Sequence, residues 1–326
     1  MKEILFIRNN IEKWRATEMA VENAANESPD HLSSVYMDLT ADLAFAQTHY
    51  PDSRITLYLN NLSSALHNEI YRNKKEKWSR LFTFWTKEVP DVMWKERRLL
   101  LISFLIFAVG IAVGVLSTLG DESFPRLIMG DFYVDMTLEN IKEGNPMGVY
   151  GSGDSASMFW QITVNNIMVS FNAFALGLLT SFAPGLLLFR NGVMIGSFDT
   201  FFYQQGLLGD ALWATMLHGT LELSSIVVAG AAGLAMGNGW LFPGTYSRLE
   251  SFKRGAKRGL KIVVGTVPLF IIAGFIESFV TRHTDMDNAL KLLIIGSSAL
   301  FIAYYFIILP YLRNHKSNGK TKDTTV

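Results

Sequence analysis

"LLLISFLIFAVGIAVGVLSTL", residues 99–119, carries no charged side chain over its whole length. At about 1.5 Å per residue such a helix crosses the roughly 30 Å of hydrocarbon in a bilayer. The run therefore predicts a membrane-spanning helix. A chain that enters lipid must satisfy its own backbone, and a long apolar run does so as a helix. The rest of the sequence fits that start. Hydrophobic residues make up 49% and aromatic residues 13% of the 326 positions, and mean hydropathy is positive at +0.22, high for a soluble chain of this length.

Further apolar runs follow at about 161–189, 191–208, 210–236, 262–281 and 289–310. The expected fold class is all-α: a polytopic transmembrane bundle of about six spans over 99–310. The third run, "NGVMIGSFDTFFYQQGLL", contains Asp199, Gln204 and Gln205 and has the look of a re-entrant or broken segment. Charge placement favours a full crossing with local irregularity. Lys95, Arg97 and Arg98 precede the first span, and loop 120–160 carries seven acidic residues against Arg126 and Lys142. Arg190 then marks an inner loop. With six crossings the basic segment "SRLESFKRGAKRGLK" (247–261) and the tail 311–326, with Arg313, Lys316, Lys320 and Lys322, fall on the cytoplasmic side. The expected location is the bacterial inner membrane, multi-pass, with both termini cytoplasmic. The start, "MKEILFIRNN", has only four apolar residues before Arg8, too few for a cleavable signal.

Residues 1–98 read as a cytoplasmic helical domain with helices near 8–24, 31–48 and 53–72, broken at "NESPD" and "HYPDS". Leu32, Val35, Tyr36, Leu39, Leu43 and Ala46 form one apolar face. The segment 77–98, rich in Trp, Phe, Lys and Arg, reads either as a juxtamembrane amphipathic helix or as a last bundle helix. Loop 120–160 is expected to contain a short amphipathic helix near 131–143 and a Gly/Ser/Pro-rich hinge. It serves either as a docking surface or as a cap on the bundle.

Ionisable and amide groups lie inside these runs. In "MLHGTLELSS" (216–225) His218 and Glu222 share one helical face, extended by Ser225. An ionisable side chain at such depth is costly and marks function by default. Amide donors are offered by Asn165, Asn166 and Asn172 in the second run, and Asn191 and Asp199 add polar groups in the third. Together they form a polar seam between spans two, three and four. Interhelical glue, a transport path and catalysis all remain open for it. Gly192 with Gly196, Gly233 with Gly237, and Gly230 on the face of Gly237 permit close helix packing, within the chain or in a homodimer; Gly219 adjoins the histidine.

Net charge is formally zero, so no global field points to nucleic acid, and no partner of that kind is expected. With no cysteine, disulfides, thiol catalysis, zinc ribbons and haem attachment fall away. A metalloprotease would need further ligands beside His218 and Glu222, and "HGTLE" lacks the H-E-x-x-H arrangement; Asp199 is the nearest third candidate. No catalytic residue, metal or cofactor is expected.

Paired asparagines in one run, "NG" opening the next, "HGTLEL", and "FPGTYSRLES" (242–251) before a basic turn together resemble the stage II sporulation protein M family. "DLTADLAFAQTHYPDS" and "YLNNLSSALHNEIYR" are similar to the soluble portion of its longer members. The motif positions carried over are Asn165, Asn166, Asn191, Gly192, His218, Gly219, Glu222, Pro243, Gly244 and Arg248. The resemblance implies a membrane organiser of peptidoglycan remodelling or envelope maintenance. Its implied partners are envelope proteins and a cytosolic MoxR-type ATPase, and it carries no established catalytic residue; membrane lipids are expected as partners from the charges of 247–261. The expected function is thus a non-enzymatic scaffold of an envelope complex. A proton-coupled or small-solute transporter using His218 and Glu222 is the alternative.

Overall fold

The computed structural model describes residues 3–24, 27–71, 79–148, 154–283 and 286–315, and every regular element among them is helical. Part of the expected hinge (149–153) and tail positions 316–326 lie outside the described residues. The chain divides into two compact units at 77/78.

The first unit has three helices, α1 (Glu3–Glu22), α2 (Pro29–His49) and α3 (Arg54–Tyr71). Ser28 caps α2 by accepting from the His31 amide at 3.2 Å, as serine does at an N-terminus with orphan donors. The expected apolar face of α2 is the one that packs: Leu32, Leu39 and Ala46 are buried with Trp14, Leu59 and Leu66, and Val35, Tyr36 and Leu43 flank them. Trp14 is fully enclosed, and its indole N–H donates to Asp42 at 2.9 Å, so the one polar atom of the largest core side chain is satisfied.

The second unit begins with α4 (79–95), interrupted by a π turn at Phe84–Glu88. This segment, grouped by the sequence reading with residues 1–98, packs within the second unit. Val89, Val92 and Met93 enter a core cluster with Leu221, Ile262 and Phe306, and Lys261 pairs with Glu88 at 2.6 Å. Then come α5 (Arg97–Gly120), α6 (Phe124–Met129), α7 (Asp131–Lys142), α8 (Ser155–Ala175) with a 3-10 turn to Leu178, and α9 (Phe182–Gln204). They are followed by α10 (Leu208–Leu241), α11 (Arg248–Phe275) with a π turn at Ile276–Val280, and α12 (Asn288–Ala303), which runs on through a π turn to 315. Four of these are long and apolar enough to cross a membrane: α5, α10, α11 through Val280 and α12 through His315.

The sequence reading divides the second and third runs at 189/191, and there it is corrected. The chain turns at 179–181 instead. Thr180 Oγ1 accepts from the Phe182 amide at 2.9 Å, and Pro184 occupies the first turn of α9, where a missing N–H costs no helical hydrogen bond. Asn191 and Gly192 accordingly lie within α9 and do not open it. Arg190, expected in an inner loop, stands on an exposed face of the same helix. No re-entrant break occurs: α9 is one α-helix from Phe182 to Gln204.

Glycines set the packing. A Cβ at Gly110 would lie 2.4 Å from the Phe189 carbonyl oxygen, one at Gly114 2.2 Å from that of Val193, and one at Gly196 2.2 Å from that of Ile111. The backbones of α5 and α9 thus touch, and they run parallel. Helices α10 and α11 form an antiparallel hairpin in which Gly255 meets Ala235 and Gly259 meets Ala232. Gly230 and Gly233 of α10 receive Leu188 and Pro184 of α9, which runs antiparallel to it, and Gly237 receives Ser181 in the turn before α9. Both small-residue pairs of the sequence reading are therefore used within the chain. From Ser225 to Gly237 every residue of α10 is buried, which makes it the central rod of the unit.

The expected helix near 131–143 is α7. Its Val134, Leu138 and Ile141 cover Phe201, Phe202 and Ala211 at the ends of α9 and α10. Loop 120–160 therefore caps the bundle at that end. Arg126 of α6 holds Asp131 at 3.2 Å and Asp135 at 2.7 Å, and the Arg126 guanidinium keeps the Asp135 carboxyl below its usual range.

Candidate functional site

Ten residues into α10, on the side facing α8 and α11, the helix presents His218 and, one turn on, Glu222. The four-residue spacing puts them on one face, as the sequence predicts. The third member comes from elsewhere. Glu277, inside the π turn that ends α11, brings its carboxylate to the same place. One ligand-type atom from each of His218, Glu222 and Glu277 lies within 4.8 Å of the others, and His218 Nε2 stands 3.9 Å from Glu277 Oε1. The side chains are 7% and 14% exposed, so the pair is shielded from bulk solvent.

Neighbours orient this group. Asn166 of α8 is buried and hydrogen-bonds the Glu222 carboxylate through its side-chain amide. The imidazole is hydrogen-bonded to the carbonyl of Ala214 one turn earlier, and Thr281 Oγ1 lies 3.4 Å from Nδ1. Thr281 also donates to the Ile276 carbonyl, which ties the histidine to the π turn that carries Glu277. A π turn inserts one extra residue and rotates everything after it, and such turns gather at functional sites. Thr163, Thr215 and Ser278 add buried hydroxyl oxygens with no hydrogen-bond partner among the described residues. Thr163 packs directly against Gly274, where a Cβ would approach its hydroxyl to 2.3 Å.

The seam of the sequence reading is thus partly assembled. His218, Glu222 and Asn166 meet; Asn165 and Asn172, seven residues apart and on one side as expected, are both exposed on the outer face of α8. The buried stripe of α8 is Thr163, Asn166, Ser170, Ala173 and Gly177, one residue out of phase with that pair. Asn191 donates at 2.9 Å to the Leu187 carbonyl of its own helix and makes no bridge between helices. Asp199 lies on α9, where one carboxylate oxygen is buried without a hydrogen bond among the described residues, and it is not a member of the convergent group. Ser225 is fully buried, with its hydroxyl unpartnered among the described residues. Gly219 beside the histidine is loosely packed, with nothing nearer than 3.6 Å to its Cβ position. At the turn after α10, Gly244 has φ +62°, a conformation glycine adopts without strain, and Pro243 and Arg248 flank it at the surface. Ser247 caps α11 by accepting from the Glu250 amide.

Sequence reasoning missed Glu277. The signal was present in "LFIIAGFIESFV" (269–280), where one acid interrupts an apolar run. Other helix contacts rest on polar groups equally unforeseen: Ser103 donates to the Val227 carbonyl, Thr118 to Ser197 at 2.9 Å and Ser181 to Asn238 at 2.7 Å.

An all-helical unit with several membrane-length helices and an acid–imidazole cluster enclosed between α8, α10 and α11 defines an integral membrane protein with a buried polar core. The chain belongs to the stage II sporulation protein M family, whose model matches residues 103–282, more than half of the sequence. Residues 4–72, which build the three-helix unit, match a domain of unknown function (DUF8413). No curated protein and no solved structure matches the chain.

Proposed function

We propose that this protein is a non-enzymatic inner-membrane scaffold of a cell-envelope complex, with six passes and both termini in the cytoplasm. The observation that carries the reading is the enclosure of α10. Thirteen consecutive buried residues, Ser225 to Gly237, held by backbone contact at Gly230, Gly233 and Gly237, leave no room along that stretch for the hydrated path that transport requires. A rod packed in this way suits a body whose surfaces are recognised by others. Helix directions support the topology. α9 and α11 each run against α10, α8 runs with it, and α5 runs with α9, which is the alternation expected of five successive crossings. The basic segment 247–261, which forms the start of α11, then lies on the side where α5 begins, as the positive-inside rule asks. The partners of this reading are peptidoglycan-remodelling or other envelope proteins outside, a cytosolic MoxR-type ATPase inside, and membrane lipids.

The test is recovery of intact complexes from membranes, with the full chain and with residues 1–77 removed. Envelope components should co-purify with both, and a cytosolic factor with the full chain alone. Topology is directly measurable because the chain has no native cysteine: single cysteines at 132 and 139 should label from outside, and those at 249 and 253 only after permeabilisation.

The transporter reading is favoured by one observation, the convergence of three ionisable side chains inside the bundle. Proteoliposomes containing the protein decide between the two. A proton or solute flux abolished by Glu222→Gln would establish transport in place of scaffolding.

A further inference from the structure

We propose that His218, Glu222 and Glu277 form a binding site for one divalent transition-metal ion, which clamps α10 to α11. The inference stands on the geometry of the cluster and holds whether or not the scaffold reading does.

Three features converge on it. The first is the donor set: one imidazole nitrogen and two carboxylates from two different helices, with ligand atoms within 4.8 Å of one another. Around an ion with bonds of about 2.0–2.2 Å, ligand atoms sit roughly 3.0–3.5 Å apart. The 3.9 Å between His218 Nε2 and Glu277 Oε1 closes to that range by small side-chain rotations. The second is charge. Two carboxylates facing each other in a low-dielectric interior repel, and each is expensive to bury alone. A dication between them brings the sum with a neutral imidazole to zero, which no single proton achieves. The third is the surrounding support. Metal-binding histidines present one nitrogen to the ion while the other side of the ring is fixed by a hydrogen bond, and ligating carboxylates are themselves hydrogen-bonded. Here Thr281 Oγ1 lies at the Nδ1 side of His218, leaving Nε2 directed at Glu277, and Asn166 holds Glu222. The π turn at Ile276–Val280 rotates Glu277 into place.

The donor set selects the ion. One imidazole with two carboxylates and no thiolate, in a chain without cysteine, suits zinc, manganese or ferrous iron over copper(I) and, because of the nitrogen, over calcium or magnesium.

The experiment uses full-length protein in detergent, stripped with a chelator, reloaded with zinc and freed of excess metal. Elemental analysis should find about one zinc per chain, as a single closed cluster predicts. Glu277→Gln should lose the ion, and Asn166→Ala, which leaves all three ligands in place, should weaken it about 10–100-fold. Glu139→Gln, outside the cluster, should bind like the parent chain. Cobalt loading of the unaltered protein gives a readout independent of any variant's folding: visible ligand-field bands that zinc displaces. A parent chain that retains no zinc and develops no cobalt bands overturns the proposal, as does a folded Glu277→Gln protein that keeps the parent's metal content. Neither result bears on whether envelope partners co-purify, so the scaffold reading is tested separately.

Discussion

Glu222 has a neighbour that no apolar replacement can satisfy, because the Asn166 amide is buried with its hydrogen bond directed at that carboxylate. Glu222→Ala orphans the amide at a cost of about 1–3 kcal/mol. The expected outcome is a lower melting temperature in detergent and lower abundance in membranes, read by thermal fluorescence and quantitative blotting. Asn165→Ala, one residue away on the exposed face, should leave both unchanged. Tyr58 gives a residue-scale prediction in the first unit. Burial, and then the hydrogen bond to Glu18 at 3.1 Å, push its phenol up to about 12. Its protonated form is the one the fold favours. That contribution is complete below the ordinary tyrosine range and is lost as pH rises through about 12. Ultraviolet titration of residues 1–77 expressed alone should show one phenolate appearing late, and Glu18→Gln should bring it earlier. At this scale the sequence was informative where a charge interrupts an apolar run, as at His218 and Glu222. It was uninformative about phase: Asn165 and Asn166 differ by 100 degrees around α8, and only the packing of α10 decides which of them is inside.

Helix pairs here are joined by missing side chains. Gly114 and Gly196 admit the opposing carbonyls so closely that even a methyl group would sit 2.2 Å from oxygen. Because the obstacle is backbone, no rotamer change relieves it. Gly114→Val should therefore separate α5 from α9 and cost about 1–3 kcal/mol or more, seen as loss of a monodisperse elution peak. Gly219→Ala, with 3.6 Å of clearance, should be tolerated. The sequence marked several of these glycines as close-packing candidates but placed the turn between the second and third runs about ten residues late. Hydropathy dips only briefly at 179–181, and the local stop consists of Thr180, Ser181 and Pro184, a weaker signal than the charge of Arg190 that drew the boundary. The short helix α7, with its period-3.6 pattern and Gly130 before it, was legible to within a residue.

Across the whole molecule, two units with separate cores share one chain. The first, cut at 77/78, encloses Trp14, Leu39, Leu59 and Leu66 almost completely, and a unit with its own core folds alone. Residues 1–77 expressed by themselves should give a helical circular dichroism spectrum and a cooperative melt. Trp14→Ala should cost about 3–5 kcal/mol of that stability. The all-helical class was legible because membrane crossing demands long uninterrupted hydrophobicity. The closing of the cluster was not, since it joins residues on α8, α10 and α11 that are distant in sequence. That distance has a consequence for biogenesis. His218 and Glu222 emerge from the ribosome before Glu277 has been synthesised, so the insertion machinery must shelter a polar α10 until α11 arrives. A nascent chain that stalls between them presents naked polarity to lipid and becomes a target for membrane quality-control proteases.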